Sequence, residues 1–400
     1  MGSANNNPVI EHINIGIVGH IDHGKTTLLE KLTGIWASRH SEELKRGITI
    51  KLGYADCVIY KDKENFNIEG NGEAVRHVCF VDAPGHEMLM ATMLSGAAMI
   101  DAAILVVAAN EGIKPQTREH LMALKSKGVS QLIAVQNKID LVKKEEAESS
   151  YKEIRDLLDK NGYSDSPIIP ISAQQGVNVN EVLKRVANMK ILQKDDSAIP
   201  IFIVARSFDI NKPGFKPENL SGGVLGGTLK QGILKTGDEI EIKPGRVIKE
   251  HDNVRYETLV TKIKGLYIGN SKVDVLKSGG SSSIETELDM SMAKGDSLKG
   301  SIISLKGNLP DLVYSLKLKF ELFPEIFGSN GHVAVENIKT SETLMLSVNT
   351  STTGGSVQNV KDNEMTMRLK VPVVAFSGDS VGIARNIGGH WRLIGHGKIL

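Results

Sequence analysis

Short apolar runs alternate with longer helical patterns from Ile13 to about Lys190. This alternation is typical of strand-helix-strand units that build a parallel sheet. Each predicted strand is a compact apolar run that ends in a polar or glycine-containing loop: Ile13–Val18, Val78–Asp82, Ala102–Ala108, Gln131–Gln136 and Ile168–Ile171. The pattern therefore predicts an α/β domain, and we expect its ligand at the loops that follow the strands.

The pattern changes after the polar stretch Gln193–Ser197. From about Pro200 to Lys306, short strand-like segments are separated by glycine-rich turns at the spacing of an antiparallel barrel. After Gly307–Pro310, a further set of alternating segments predicts a second barrel. We therefore predict a flexible N-terminus at residues 1–12, the α/β domain at 13–194, and β-barrels at 200–306 and 310–400.

Composition adds three constraints. A chain of 400 residues exceeds the usual size of one hydrophobic core, and its 48 Lys and Arg nearly balance its 47 Asp and Glu, so net charge neither requires nor excludes a polyanionic partner. Cys57 and Cys79 are too few for a disulfide framework and favour a reducing compartment. Asp101 interrupts the most apolar stretch, Met93–Ala109, so we expect no membrane span. We also expect a cytoplasmic location.

A glycine-rich motif follows the first predicted strand directly. The stretch Gly19-His-Ile-Asp-His-Gly-Lys-Thr26 has the spacing of a P-loop and precedes a helical pattern. Glycines let backbone N–H groups converge on phosphate oxygens, Lys25 neutralises phosphate charge, and Thr26 offers an oxygen to Mg²⁺. A chance glycine-rich turn is the alternative, but the strand before and the helix after favour phosphate binding.

A second motif, Asp82-Ala-Pro-Gly85-His86, follows another apolar strand. A carboxylate here can hold Mg²⁺ through water, and the Gly85 amide can reach the γ-phosphate. Alone, the motif would be an ordinary turn, because Asp, Pro and Gly are common turn residues. Together with the P-loop, it predicts a sensor of the γ-phosphate.

Two further loops predict which base the nucleotide carries. Asn137-Lys138-Ile-Asp140 ends a predicted strand, and a carboxylate there can accept from the N1–H and 2-amino groups of guanine. The loop Ser172-Ala173-Gln174 follows the last strand and offers a backbone amide to guanine O6. Each could be only a helix cap or loop. Their order favours guanine and conflicts with a P-loop kinase or ATPase. That alternative would be supported only if ATP bound as tightly as GTP.

The polar segment from Ser41 to Tyr54 lies between the P-loop and Asp82. It could be a surface loop. In a GTP-binding domain, such a segment is a switch in which a Thr hydroxyl completes the Mg²⁺ shell only while the γ-phosphate is present. Thr49 is the residue whose hydroxyl we predict to bind Mg²⁺ in this way.

The order of these motifs resembles the translational GTPases of the elongation factor Tu type. A closer resemblance, to the gamma subunit of archaeal and eukaryotic translation initiation factor 2, runs nearly end to end, as far as Trp391–Gly395. The segments that carry it are Thr33–Trp36, His40–Ala55, Ala91–Ala97 and Arg206–Gly214.

The resemblance implies a heterotrimer. In it, the gamma subunit holds GTP or GDP and, with the alpha subunit, binds initiator methionyl-tRNA for the small ribosomal subunit, while the beta subunit docks on the nucleotide domain. No membrane or DNA partner is expected. It also implies a slow GTPase in which His86 orients the attacking water, although an ordinary loop histidine is the alternative.

The predicted site follows from the motifs and the resemblance together. Mg²⁺ is assigned to Asp22, Thr26, Gly47, Thr49 and Asp82. The nucleotide is assigned to Gly19, Asp22, His23, Gly24, Lys25, Thr26, Thr27, Gly85, Asn137, Lys138, Asp140, Ser172, Ala173 and Gln174.

The insert between the first switch and Asp82 departs from the family. Members commonly carry Cys-x-x-Cys pairs there that would bind zinc, whereas Lys61–Arg76 contains no cysteine. Cys57 and Cys79 cannot make a four-cysteine site, so we predict no structural zinc and a simple hairpin or loop instead.

Two other functions remain open from the sequence. A selenocysteine-specific or general elongation factor would share the switch but carry a different aminoacyl-tRNA, and Arg206-Ser-Phe-Asp209 argues against it by resemblance. A nucleotide-locked assembly scaffold would bind GTP without useful hydrolysis.

Overall fold

The computed structural model describes residues 11–35, 53–82, 97–191, 193–211, 220–251, 253–269, 271–326 and 333–400. The first domain is built on a seven-stranded sheet with the order β3-β2-β4-β1-β5-β6-β7. Strands β1, β4, β5, β6 and β7 are parallel, whereas β2 runs antiparallel to β4 and β3 to β2. The strands are β1 His12–Gly19, β2 Gly53–Asp62, β3 Asn65–Asn67, β4 Glu73–Asp82, β5 Ala102–Ala108, β6 Gln131–Asn137 and β7 Ile168–Pro170.

Helices cover both faces of this sheet. They are α1 Lys25–Thr33, α2 Pro115–Ser126, α3 Lys144–Lys160 and α4 Val179–Ala187, with a 3-10 helix at Ile139–Leu141. Because successive strand residues point to opposite faces, β5 contributes Ile104 to one apolar core with α1 and α4, and Leu105 to the other with α2 and α3. The parallel strands are therefore buried on both sides, as their continuous apolar runs predict.

The second domain is a closed barrel. Strands β11, β16, β8, β9, β15 and β12 pair in this order, and β12 pairs back to β11. The elements are β8 Ile201–Phe208, β9 Val224–Gln231, β10 Ile233–Lys235, β11 Glu239–Glu250, β12 Asn253–Ile268, β13 Ser271–Val273, β14 Val275–Lys277, β15 Ser282–Thr286, helix α5 Met290–Ala293, a 3-10 helix Lys294–Asp296, and β16 Ile302–Leu305.

The third domain is also a closed barrel, with the order β17-β22-β21-β20-β23-β24 and β24 paired to β17. Its strands are β17 Val313–Leu322, β18 Glu325–Ile326, β19 Val333–Ala334, β20 Thr343–Val348, β21 Ser351–Lys361, β22 Glu364–Val373, β23 Ser380–Ile387 and β24 His390–Ile399. Alternate side chains such as Leu344, Leu346 and Val348 fill its interior.

This architecture confirms the predicted α/β domain followed by two β-barrels. One detail at the N-terminus differs from the prediction. Residues 1–10 of the predicted flexible N-terminus lie outside the described residues, but His12 already belongs to β1, and its Nδ1 lies 3.0 Å from Nδ1 of His77. Polar residues at the start of β1 gave no apolar signal, so the strand begins one residue earlier than predicted.

The domains contact one another through polar and apolar groups. Asn14 of β1 donates from Nδ2 to Thr228 Oγ1 of the first barrel at 2.8 Å, and Thr350 of the second barrel donates to the Val204 carbonyl of the first at 2.9 Å. Helix α2 packs against β23 and β24. No helix in the part of the chain that the structure describes is long and apolar enough to cross a membrane.

Candidate nucleotide-binding site

The predicted motifs converge at one edge of the sheet. Gly19 ends β1, Asp82 ends β4 and Asn137 ends β6, and all three strands are parallel. The carboxyl ends of parallel strands meet at the same edge, so the loops that follow them form a single crevice. The loop after β7, which carries Ser172 and Ala173, joins this edge because Ile139 N donates to the Ile171 carbonyl at 3.2 Å.

The phosphate loop depends on glycine at two places. A Cβ on Gly19 would lie 2.3 Å from the Val106 carbonyl oxygen, and one on Gly24 would lie 2.3 Å from Nδ2 of Asn137. Both glycines have positive φ, 139° and 91°, which side chains disfavour. Asp22 adopts a left-handed φ of 62° between them and is exposed. Helix α1 begins directly after Gly24, so its N-terminal amides face the loop.

Lys25 lies beneath this loop. Its Nζ donates to the Gly19 carbonyl at 2.9 Å and to the His20 carbonyl at 2.8 Å. Burial lowers the pKa of Lys25 to about 8, against the opposing effect of the Asp82 and Asp22 carboxylates. A buried ammonium that donates to neutral carbonyls is stabilised by an arriving anion, which suits a phosphate.

Thr26 and Asp82 place two oxygen ligands side by side. The Thr26 hydroxyl donates to Oδ2 of Asp82 at 3.3 Å, and Asp82 is fully buried. Mg²⁺ prefers carboxylate and hydroxyl oxygens, so the chemistry of this pair fits the predicted metal. Thr27 follows on α1 and is half-buried.

Asn137 joins the phosphate loop to the base-recognition loops. Its Nδ2 donates to the His23 carbonyl at 2.9 Å, and its Oδ1 accepts from the Ala173 amide at 3.0 Å. The Ala173 N–H is thus engaged by Asn137, and its contact with guanine O6 stays a prediction. Ser172 shapes the same loop, because its hydroxyl accepts from the Gln175 amide at 3.2 Å.

Lys138 and Asp140 lie at the open side of the crevice. Lys138 adopts a left-handed φ of 62°, and its Nζ lies 3.1 Å from Oε1 of Glu111. Asp140 and Gln174 are exposed. The Asp140 carboxylate is therefore accessible to a base, as recognition of guanine requires.

Glu111 and His120 also lie at this site, although neither belongs to the motifs that predict it. Glu111 holds Lys138, and its Oε2 lies 3.8 Å from Nε2 of the buried His23. His120 lies on α2 and accepts from the Gly19 amide at 2.9 Å. Neither residue belongs to a local motif, so only the tertiary fold reveals its role.

Two histidines at the phosphate loop are held neutral. Burial lowers the pKa of His23 to about 4, helped by the neighbouring His20. Burial also lowers the pKa of His120 to about 3, helped by Lys25. The neutral ring leaves His120 Nδ1 free to accept from Gly19, while His23 donates from Nδ1 to the Val106 carbonyl at 3.3 Å.

Four predicted site residues lie outside the described residues: Gly47, Thr49, Gly85 and His86. The strands that flank them are described. β2 begins four residues after Thr49, β4 ends three residues before Gly85, and Gly53 pairs with Asp82.

The two cysteines lie apart from this site. Cys57 and Cys79 are both free thiols. Burial raises the pKa of Cys57 to about 12 and raises that of Cys79 as well, which disfavours the thiolate that binds metals. Among the described residues, no group of three or more His, Cys, Asp or Glu side chains could hold a metal ion. The absence of zinc stays a prediction, and the insert forms the β2–β3 hairpin.

Family comparisons agree with this geometry. Residues 10–191 match the elongation factor Tu GTP binding domain, and residues 314–399 match the C-terminal domain of initiation factor eIF2 gamma. Translation initiation factor 2 subunit gamma of Methanococcus vannielii is 47% identical over 97% of this chain and 98% of its own length. The chain belongs to the gamma-subunit family of translation initiation factor 2. The same subunit of Pyrococcus horikoshii is 46% identical over 97% of both chains.

Solved structures of related elongation factors share the three-domain fold. The bacterial selenocysteine-specific elongation factor EF-Sec matches with a TM-score of 0.77 at 25% identity, over 97% of this chain and 58% of that protein. The elongation factor SelB of Methanococcus maripaludis, in complex with the GTP analogue GppNHp, matches with a TM-score of 0.74 at 25% identity, over 98% and 79%. The chain is thus a translational GTPase and an initiation factor subunit.

The neutral histidines predict a loss of stability in acid. Because the pKa values of His23 and His120 are lower in the folded state than the usual 6.5, the unfolded chain binds more protons as pH falls below 6.5. Stability is therefore complete above pH 6.5 and falls towards pH 4, by about 2 kcal/mol per histidine at pH 5. Urea unfolding at pH 7 and pH 5 measures the difference.

The matched variant is His120→Asn, which keeps an acceptor near Nδ1 but does not titrate. Between pH 7 and pH 5, the free energy of unfolding of this variant should fall by about 2 kcal/mol less than that of the wild type. Equal losses in the two proteins would contradict a neutral, buried His120.

Proposed function

We propose that the chain binds Mg²⁺–GTP in this crevice and, in that state, carries initiator methionyl-tRNA to the small ribosomal subunit. The observation that carries the proposal is the convergence of the motifs: Thr26 of the phosphate loop bonds to Asp82, and Asn137 joins the phosphate loop to the loop at Ala173. The nucleotide-binding residues are those named from the sequence, with Lys25 at the phosphates and Asp140 at the base. Full-length similarity to gamma subunits supports the initiation role over an elongation role.

Guanine specificity rests on the chemistry of Asp140. Its exposed carboxylate accepts two hydrogen bonds, which match the N1–H and 2-amino donors of guanine. Lys138 contributes its aliphatic stem beside the base, held by the ion pair with Glu111.

Replacing Asp140 with Asn should change the preferred base. The amide offers one acceptor and one donor, which match the N1–H and C2 carbonyl of xanthine rather than guanine. We expect GDP affinity to fall about a hundredfold and XDP affinity to rise, as measured by competition with a fluorescent nucleotide. Asp165→Asn, at an exposed position in the same domain, is the matched control and should change neither affinity. An unchanged preference would exclude Asp140 from base recognition.

The metal would be held by Thr26 and Asp82, with Asp22, Gly47 and Thr49 as further proposed ligands. When bound, Mg²⁺ supplies positive charge that offsets the charge of the reacting phosphoryl group. Lys25 provides the same compensation from beneath the phosphate loop. His86 would orient the attacking water, and we propose that hydrolysis is slow until the ribosome or another factor assists.

The switch would act through the β2–β4 pair. Gly53 pairs with Asp82, so the segments carrying Thr49 and His86 are attached to the same end of two hydrogen-bonded strands. Contacts of both segments with the γ-phosphate would be lost together on hydrolysis. We propose that a change at this end passes along β2 to Tyr54 and Asp56, which lie one and three residues after Gly53.

Tyr54 and Asp56 line a cavity of about 230 Å³ between the nucleotide domain and the first barrel. Polar side chains of the first barrel also line it: Arg206, Ser281, Ser282 and Ser283. Among the described residues, the Tyr54 hydroxyl, Asp56 Oδ1 and Ser282 Oγ are buried without a hydrogen-bond partner. Buried polar groups are normally satisfied, so this cavity suits a polar ligand. We propose that the aminoacyl end of the tRNA enters it.

The partners follow from the proposed family role. As a subunit of initiation factor 2, the chain would assemble with alpha and beta subunits in the cytoplasm. Arg385 and Arg392 are poor candidates for tRNA contact in this structure, because Arg385 pairs with Glu342 and Arg392 is buried against Glu119.

The test is binding of initiator methionyl-tRNA to the chain together with the alpha subunit. Affinity should be at least tenfold higher with a GTP analogue than with GDP, and higher than for elongator methionyl-tRNA. Tyr54→Phe should lower the affinity in the GTP state about tenfold, through loss of one hydrogen bond, without lowering stability. Tyr314→Phe, on an exposed ring of the second barrel, is the matched control.

The alternatives give different results. Equal binding of elongator tRNA would favour an elongation factor. Absence of tRNA binding, together with no hydrolysis when ribosomes are added, would favour a nucleotide-locked scaffold. Unchanged binding by Tyr54→Phe would exclude the cavity from tRNA recognition.

A further inference from the structure

Helix α2 lies between the phosphate loop and the second barrel. Side chains of α2 reach both neighbours: Gln116 and His120 contact the loop, whereas Glu119 contacts the second barrel. Lys127, which follows the last residue of α2, also contacts that barrel. None of these four residues belongs to a nucleotide-binding motif. The helix therefore connects the phosphate loop with the second barrel.

The contacts on the loop side fix where the loop begins. The Gly19 amide donates to His120 Nδ1 at 2.9 Å, and the Ile21 amide donates to Gln116 Oε1 at 3.4 Å. Both Gly19 N–H and the His120 ring are buried, so the amide has no water to replace a lost acceptor. Loss of this bond would leave a buried donor unsatisfied, and the loop would have to rearrange.

The contacts on the barrel side are a buried ion pair and a hydrogen bond from a lysine to a backbone carbonyl. Arg392 NH1 donates to Glu119 Oε1 at 3.0 Å, with side chains that are 9% and 3% exposed. Lys127 Nζ donates to the Ser347 carbonyl at 2.8 Å. Around them, Leu393 of β24 packs into the same apolar core as Leu121 of α2. Breaking a buried ion pair is destabilising, so the Glu119–Arg392 pair ties α2 to the barrel.

We propose that His120 is a positioning residue for the phosphate loop, and that α2 couples retention of the nucleotide to docking of the second barrel. Glu119 and His120 are adjacent, so a displacement of α2 that follows loss of the Glu119–Arg392 pair also displaces the acceptor of the Gly19 amide. The coupling is reciprocal, because a nucleotide that favours the ordered loop also favours the docked barrel. This inference rests on the proposed binding of phosphates by the loop at 19–26.

The first test measures the rate of GDP release after changes at His120. His120→Leu keeps the bulk of the ring but removes the acceptor, and should speed GDP release at least tenfold. His120→Asn places Oδ1 where Nδ1 lies, and should stay within threefold of the wild type. The His120→Leu variant should also discriminate less between GDP and GMP, because the loop contacts the β-phosphate that GMP lacks. If GDP release were faster only because the structure is lost, His120→Asn would also release GDP faster than the wild type.

The second test changes the barrel side, far from the nucleotide. Arg392→Gln should speed GDP release at least fivefold. Arg385→Gln removes an Arg–Glu pair that lies entirely within the second barrel, and should leave the rate unchanged. The double variant Glu119→Met with Arg392→Met replaces the pair with apolar contact and should restore slow release, since buried pairs tolerate such replacement.

The outcomes separate the inference from the function on which it rests. Wild-type GDP release from Arg392→Gln, with the barrel shown to be undocked by hydrogen exchange at α2 and β24, would overturn the coupling. Equal release from His120→Leu and His120→Asn would overturn the positioning role. Failure of the wild-type chain to bind GDP would overturn the proposed function and the inference together, whereas the other two results leave nucleotide binding intact.

Discussion

The nucleotide site depends on one side chain, the amide of Asn137. It stands at the end of β6, donates to the His23 carbonyl of the phosphate loop, and accepts from the Ala173 amide of the last loop. Because an amide has both a donor and an acceptor, it can tie together two loops that each present a backbone group. Residue 24 must be a glycine, because a Cβ there would occupy the place of the Asn137 amide. The phosphate loop and the loop proposed to contact the base are thus tied together by this one side chain.

Much of this site could be predicted from the sequence because its chemistry is local. The phosphate loop needs glycines, Lys25 and Thr26 within a few residues, and the parallel strands bring the ends of β1, β4 and β6 together without further information. The order of the three domains was predictable for a similar reason, since the change from helical periods to short strands with glycine turns marks the first boundary.

The contributions that depend on contacts distant in sequence could not be predicted. His120 accepts from Gly19 across 101 residues, and Arg392 reaches Glu119 across 273 residues. His and Arg at such positions are common on exposed faces, and only burial gives them a role. The cavity at Tyr54 could not be predicted from the sequence either, because it forms between two domains that no local pattern places side by side.

Asn137 holds the two halves of the site together, and the rate of GDP release from the Asn137→Ala variant is the decisive measurement of this role. Two buried hydrogen bonds are lost, at a cost of about 3 kcal/mol, so release should be about a hundredfold faster than in the wild type. Asn188→Ala, whose amide caps an exposed helix end in the same domain, should release GDP at the wild-type rate. A rate within twofold of the wild type for Asn137→Ala would contradict the account.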